Sequence, residues 1–119
     1  MTAQPLFPQQ RSVYLCRALR QSGDTKKRPV VVVSLDARNQ YSSTVLVVPF
    51  SSDVEGSKEN PCRVIVAVGE GGLEKSSVAM CDVITSIEKR YLEQGPYGQL
   101  GSDTFAQIQT AIQMSIGLF

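Results

Sequence analysis

Four consecutive valines, Val30 to Val33, set between Arg28-Pro29 and Ser34, constrain this chain more than any other stretch. β-Branched side chains fit a pleated surface, and a run with no polar alternate face predicts a short strand buried on both sides. Pro29 has no N–H to give a ladder, so it belongs at the start of that strand. Arg28 then stands at the mouth of the strand, with Lys26 and Lys27 just before it. A cation on the rim of a rigid core suits a phosphate, and equally serves as a solubilising charge beside a hydrophobic strand.

Other apolar runs follow the same logic. Ser12–Leu19 alternates imperfectly and reads as a strand. Arg20–Lys27 is a polar, partly basic loop with turn chemistry at Ser22-Gly23-Asp24. After the valines, Leu35–Ser43 is a polar crossover with room for one helical turn. Thr44–Phe50 is a second continuous apolar strand, and Pro49 near its end predicts an edge or bulge that turns Ser51-Ser52-Asp53 outwards. Taken alone, those hydroxyls are plain loop residues. Cys62–Val68 is a third strand of this kind. Gly69-Glu70-Gly71-Gly72 has no Lys-Ser/Thr after it and reads as a tight turn, not a phosphate loop. Ser76–Ile87 is expected as one long, bent strand, and Gly95-Pro96-Tyr97-Gly98 as a break before a last short strand at Gln99–Gly101. Ser102 is the expected cap of a helix whose apolar stripe is Phe105, Ile108, Ile112 and Ile116, ended by Gly117.

Short strands with irregular links and one terminal amphipathic helix predict a mainly β (α+β) fold, a small antiparallel β-barrel with a C-terminal α-helix packed on it. The 119 residues suffice for one domain. Residues 1–11, with two prolines and several glutamines, are expected as a flexible N-terminal arm, and 12–119 as the barrel domain. The opening residues lack the basic and apolar regions of a signal peptide, and no apolar stretch approaches the ~20 residues of a membrane helix.

The chemistry is narrowed by what is missing. The chain has no histidine, so His-based triads and acid–base pairs are excluded. Its three cysteines, Cys16, Cys62 and Cys81, are too scattered for a disulfide framework or zinc site. Cys16 and Cys81 sit in apolar runs, as small buried hydrophobes of a reducing cytoplasm would. A formal net charge of +1 gives no whole-molecule field, so an anion site must be local, as at Lys26-Lys27-Arg28. Reactions that run on positioned charge and hydrogen bonds, such as phosphodiester cleavage, pass this filter best.

In order along the chain, Arg28–Ser34, Asn39, Val47-Val48-Pro49-Phe50-Ser51-Ser52, Gly72-Leu73, Ser77-Val78-Ala79-Met80-Cys81-Asp82, Ser102-Asp103 and Ser115-Ile116-Gly117-Leu118 resemble the MazF/PemK family of toxin–antitoxin systems. The resemblance implies an SH3-like barrel, a homodimer, and sequence-specific cleavage of single-stranded RNA with no metal or other cofactor. The ribose 2′-hydroxyl would attack the adjacent phosphate, leaving a 2′,3′-cyclic phosphate and a 5′-hydroxyl. It assigns the catalytic roles to Arg28 and Ser51, and RNA binding to Ser22, Lys26, Lys27, Ser52 and Asp82. A MazE-like antitoxin is the implied protein partner, the cytoplasm the implied compartment, and no membrane is involved. The chain departs from the family in carrying Arg11-Ser12 where Gly-Asp usually precedes the first strand, Val83 and Thr85 where many relatives have Gln and Arg near the RNA groove, and a shorter first loop. Two other readings stay open: a catalytically weakened module that binds RNA or antitoxin, and a CcdB-like gyrase-binding poison. The latter proteins rely on a tryptophan near the C-terminus, and this chain has none.

Overall fold

The computed structural model describes residues 6–17 and 27–118. Seven strands form one antiparallel sheet: β1 (Ser12–Cys16), β2 (Arg28–Val32), β3 (Thr44–Ser51), β4 (Arg63–Val66), β5 (Ser77–Met80), β6 (Thr85–Glu88) and β7 (Leu92–Gln99). Helix α1 (Asp36–Tyr41) links β2 to β3, and α2 (Ser102–Ser115) closes the chain. Strand order is β4-β5-β3-β2-β1-β7, with β6 also paired to β3. The sheet coils like an SH3 barrel, but β4 and β7 end its path without pairing to each other.

The valine run is buried on both faces because the sheet covers two cores. Val31 joins Val13, Val48 and Phe50 in a core closed by Phe105, Ile108 and Ala111 of α2. Val30 and Val32 join Tyr14, Cys16, Val45, Val47 and Ile87 in a second core, with Tyr91 and Leu92 packed against it. Fully burying a valine contributes on the order of 1.5–3 kcal/mol, so the three buried valines of β2 help hold both cores to the sheet. Cys16 and Cys81 are both buried. Burial, then the Asp82 carboxylate, pushes the Cys81 thiol up to about 12, which removes it as a nucleophile at neutral pH.

Four local expectations are corrected. Ser76–Ile87 is two strands, β5 and β6, separated by a 3-10 turn at Cys81–Val83. Gly95-Pro96-Tyr97-Gly98 does not break the chain; it lies inside β7, where a cis Gly95–Pro96 bond and shifts of register against β1 absorb the irregular residues. The N-cap of α2 is Gly101, whose carbonyl takes the Phe105 N–H, so Ser102 is the first helical residue. Ile116 falls outside the stripe and is exposed, since the helix has already ended. That end is a Schellman motif: Gly117 at φ 84° lets its own N–H reach Met114 O and the Leu118 N–H reach Gln113 O.

Residues 8–11 of the segment expected as an arm are fastened to the body. Asn39 Nδ2 donates to Pro8 O, the Gln10 N–H to Asp36 Oδ1 and the Arg11 N–H to Val32 O. Arg11 adopts φ 78°, a left-handed conformation that glycine reaches at least cost. Arg11 Nε donates to Leu100 O, and Arg11 O accepts from the Leu100 N–H, which offsets that strain. No helix among the described residues is long and apolar enough to cross a membrane.

Candidate active site

The β2–β3 ladder pairs Val32 with Val47, Val31 with Val48 and Val30 with Pro49. Arg28 and Ser51 lie two residues beyond the last of these pairs, on facing strands. The pairs with β2 end at Pro49; on its opposite edge β3 passes from β6, paired with Thr44–Val47, to β5, whose Ala79 and Val78 pair with Phe50 and Ser51. Pro49, with no N–H to contribute, is the last residue of β3 that pairs with β2. A cavity of about 460 Å³ opens there, lined in part by Lys27, Arg28, Pro29, Ser51, Ser52 and Tyr97.

Of the residues singled out in the sequence, Lys27, Arg28, Ser51 and Ser52 therefore share one cavity wall. Ser22 and Lys26 lie outside the described residues. Asp82 is not brought to this cavity; its carboxylate pairs with Arg63, Nε to Oδ1 at 3.0 Å, beside the end of β4. Val83 and Thr85 do not line it either, and Thr85 Oγ1 donates to Val83 O at 2.9 Å.

The hydroxyl of Ser51 is oriented by its own loop. Its oxygen accepts the Asp53 N–H at 3.1 Å, which leaves the hydroxyl proton to donate elsewhere. Arg28 is exposed at the first position of β2 and is paired across the sheet with Cys16. A guanidinium fixed at the end of a buried strand offers planar, permanently charged donors to a phosphate.

Two further residues belong here that the sequence did not reveal. Glu93 of β7 accepts Lys27 Nζ and Arg17 Nε, each at 2.7 Å, and so fixes the cation next to Arg28. Tyr97 is on the same strand and lines the cavity. Tyr97 was hidden because Gly95-Pro96-Tyr97-Gly98 reads as a break, and Glu93 because Glu88–Gln94 reads as a short helical turn.

Lys27, opposed by burial and helped by Arg17, holds the Glu93 carboxyl below its ordinary value of 4.5. A carboxylate lowered on folding stabilises the fold above that ordinary value, and the contribution is lost as pH falls through the lowered one. An NMR titration of the Glu93 carboxyl is expected to show a midpoint below 4.5, and Lys27→Met is expected to move it upwards. An unchanged midpoint in that variant would show that Lys27 does not hold the carboxylate.

Comparison with known proteins gives this geometry a context. Residues 9–116 match the family model of the PemK-like, MazF-like toxins of type II toxin-antitoxin systems. The chain belongs to that family. An endoribonuclease MazF of Staphylococcus saprophyticus is 30% identical over 91 residues, covering 76% of this chain and 74% of the relative. Among solved structures, an endoribonuclease from a mycobacterial species in complex with its cognate antitoxin matches with a TM-score of 0.78 at 22% identity, covering 94% of this chain and 97% of the other. A MazF from Deinococcus radiodurans matches with a TM-score of 0.77 at 20% identity, covering 95% and 99%. These structural likenesses show the fold; the sequence matches place the chain in a family of toxin endoribonucleases.

Proposed function

We propose that this protein cleaves single-stranded RNA at specific sequences by attack of a ribose 2′-hydroxyl on the adjacent phosphate, with no metal ion. The products are a 2′,3′-cyclic phosphate and a 5′-hydroxyl, and cleavage of mRNA in the cytoplasm arrests translation and growth. The observation that carries this reading is Arg28 and Ser51 on the wall of one cavity, just beyond the end of the β2–β3 ladder. Arg28 holds the scissile phosphate and stabilises the charge that builds on it in the transition state. Ser51 donates a hydrogen bond to a non-bridging oxygen. Ser52 and Lys27, with Lys26 and Ser22 of the preceding loop, contact the flanking RNA. Asp82, paired with Arg63 away from this cavity, is left out of the reading.

As in the family, the working unit is a homodimer, and a MazE-like antitoxin blocks it by competing with RNA for the same cations. Antitoxin capture is supported by the solved mycobacterial relative in complex with its own antitoxin.

The test is an RNA oligonucleotide carrying a single 2′-deoxy sugar at the cleaved position. The all-ribo oligonucleotide is expected to be cut and the deoxy one to stay intact; cutting of both would rule out attack by the 2′-hydroxyl. Ser51→Ala is expected to slow cleavage about 10–100-fold, the loss of one hydrogen bond to a charged group. A wild-type rate in that variant would remove Ser51 from the chemistry.

A further inference from the structure

Tyr97 is 48% exposed and lines the cavity that holds Arg28 and Ser51. The other aromatic side chain there, Phe50, is only 2% exposed and belongs to the core beneath. A half-exposed ring in the cavity that also holds Lys27 and Arg28 offers a face on which an unstacked base can lie.

The backbone holds Tyr97 firmly. The turn Glu70–Gly72 presses against β7 so closely that a Cβ on Gly72 would sit 2.7 Å from Tyr97 O and 2.8 Å from Tyr97 Cβ. A Cβ on Gly98 would lie 3.0 Å from the carbonyl carbon of Gly71. Gly72 also adopts φ 79°, which side-chain-bearing residues rarely take. The Gly101 N–H donates to Glu70 Oε1 at 3.0 Å, tying the same turn to the start of α2. The glycines that superficially suggested a phosphate loop thus have a different use: they let a turn abut the strand that carries Tyr97.

We propose that Tyr97 stacks on a base of the bound single-stranded RNA next to the scissile phosphate, and so helps determine which nucleotide is accepted there. This rests on the cavity being the RNA site. Stacking of a base on an aromatic side chain contributes enough that truncating it weakens binding about 5- to 100-fold. The effect falls on affinity and base preference more than on the chemical step, because the ring touches a base and not the reacting atoms.

The experiment measures binding of a 2′-O-methylated single-stranded RNA oligonucleotide, which cannot be cleaved, together with a series in which each base in turn is abasic. The wild-type protein is expected to lose affinity sharply at one abasic position next to the cleavage point. Tyr97→Ala and Tyr97→Leu are expected to bind the full oligonucleotide about 5- to 100-fold more weakly and to be indifferent to that abasic position. Tyr97→Phe is expected to behave as wild type. Tyr97→Leu keeps apolar bulk on β7 without a π face, so it separates stacking from strand stability. If wild-type protein binds no oligonucleotide, the RNA reading of the cavity itself fails. If it binds and Tyr97→Leu keeps wild-type affinity and abasic sensitivity, the cavity reading stands and the stacking role is overturned.

Discussion

Arg28→Ala is expected to lower RNA cleavage by about 10²–10³-fold, the usual consequence of removing one donor that stabilises developing charge. Arg28 is the first residue of β2 and is exposed, so its truncation leaves the valine core and both ladders in place. Thermal unfolding of the variant should therefore match the wild type to within the effect of a surface change. Arg28→Lys keeps the charge but not the planar fork, and should recover only part of the rate. Equal rates for Arg28→Lys and wild type would make Arg28 a steering charge and no more. A collapse of stability in Arg28→Ala would make any loss of activity uninformative about chemistry.

The largest effect on stability is expected at the other end of the same ladder. Asn39 is fully buried on α1. Its Nδ2 donates to Pro8 O and to Ser34 O, each at 3.0 Å, and its Oδ1 accepts from Ser34 Oγ. Ser34 Oγ in turn accepts the Leu46 N–H at 3.0 Å. One amide thus ties together the N-terminal segment, the end of β2, α1 and the start of β3. Asn39→Ala leaves several buried polar groups without partners and should destabilise the fold by about 3 kcal/mol. For a domain of this size that lowers Tm by roughly 10 °C. Ser34→Ala should be partly redundant with it, so the double variant falls short of the sum of the two singles. A loss of less than about 1 kcal/mol in Asn39→Ala would show that water replaces these bonds, and the hub would be incidental.

The valine run was legible as a strand because both of its faces are apolar, and a sheet that covers two cores is the arrangement that satisfies both. Pro49 was expected to end or bulge the next strand; β3 runs through it to Ser51, and only its pairing with β2 stops there. β7 was not legible. Gly95-Pro96-Tyr97-Gly98 carries the local signals of a turn, and only pairing with β1 along the sheet edge overrides them. With that strand hidden, Tyr97 and Glu93 could not be placed beside Arg28 and Lys27. Asp82 is a different case. It follows a motif shared with the family, yet the turn at Cys81–Val83 hands its carboxylate to Arg63, away from the cavity. Asn39 could be noticed in the sequence only as part of a pattern; its several bonds depend on Pro8 and Ser34 arriving from other elements.

The central claim is that a positioned arginine and hydroxyl suffice for 2′-hydroxyl attack on an RNA phosphate. It is tested most directly by mass spectrometry of the fragments released from a single-stranded RNA by the purified protein in the presence of EDTA. Cleavage is expected to be undiminished, with 2′,3′-cyclic phosphate on one fragment and 5′-hydroxyl on the other, and both fragments are expected to form about 10²–10³-fold more slowly with Arg28→Ala. Fragments bearing a 5′-phosphate and a 3′-hydroxyl, or cleavage that stops when EDTA is added, would contradict it.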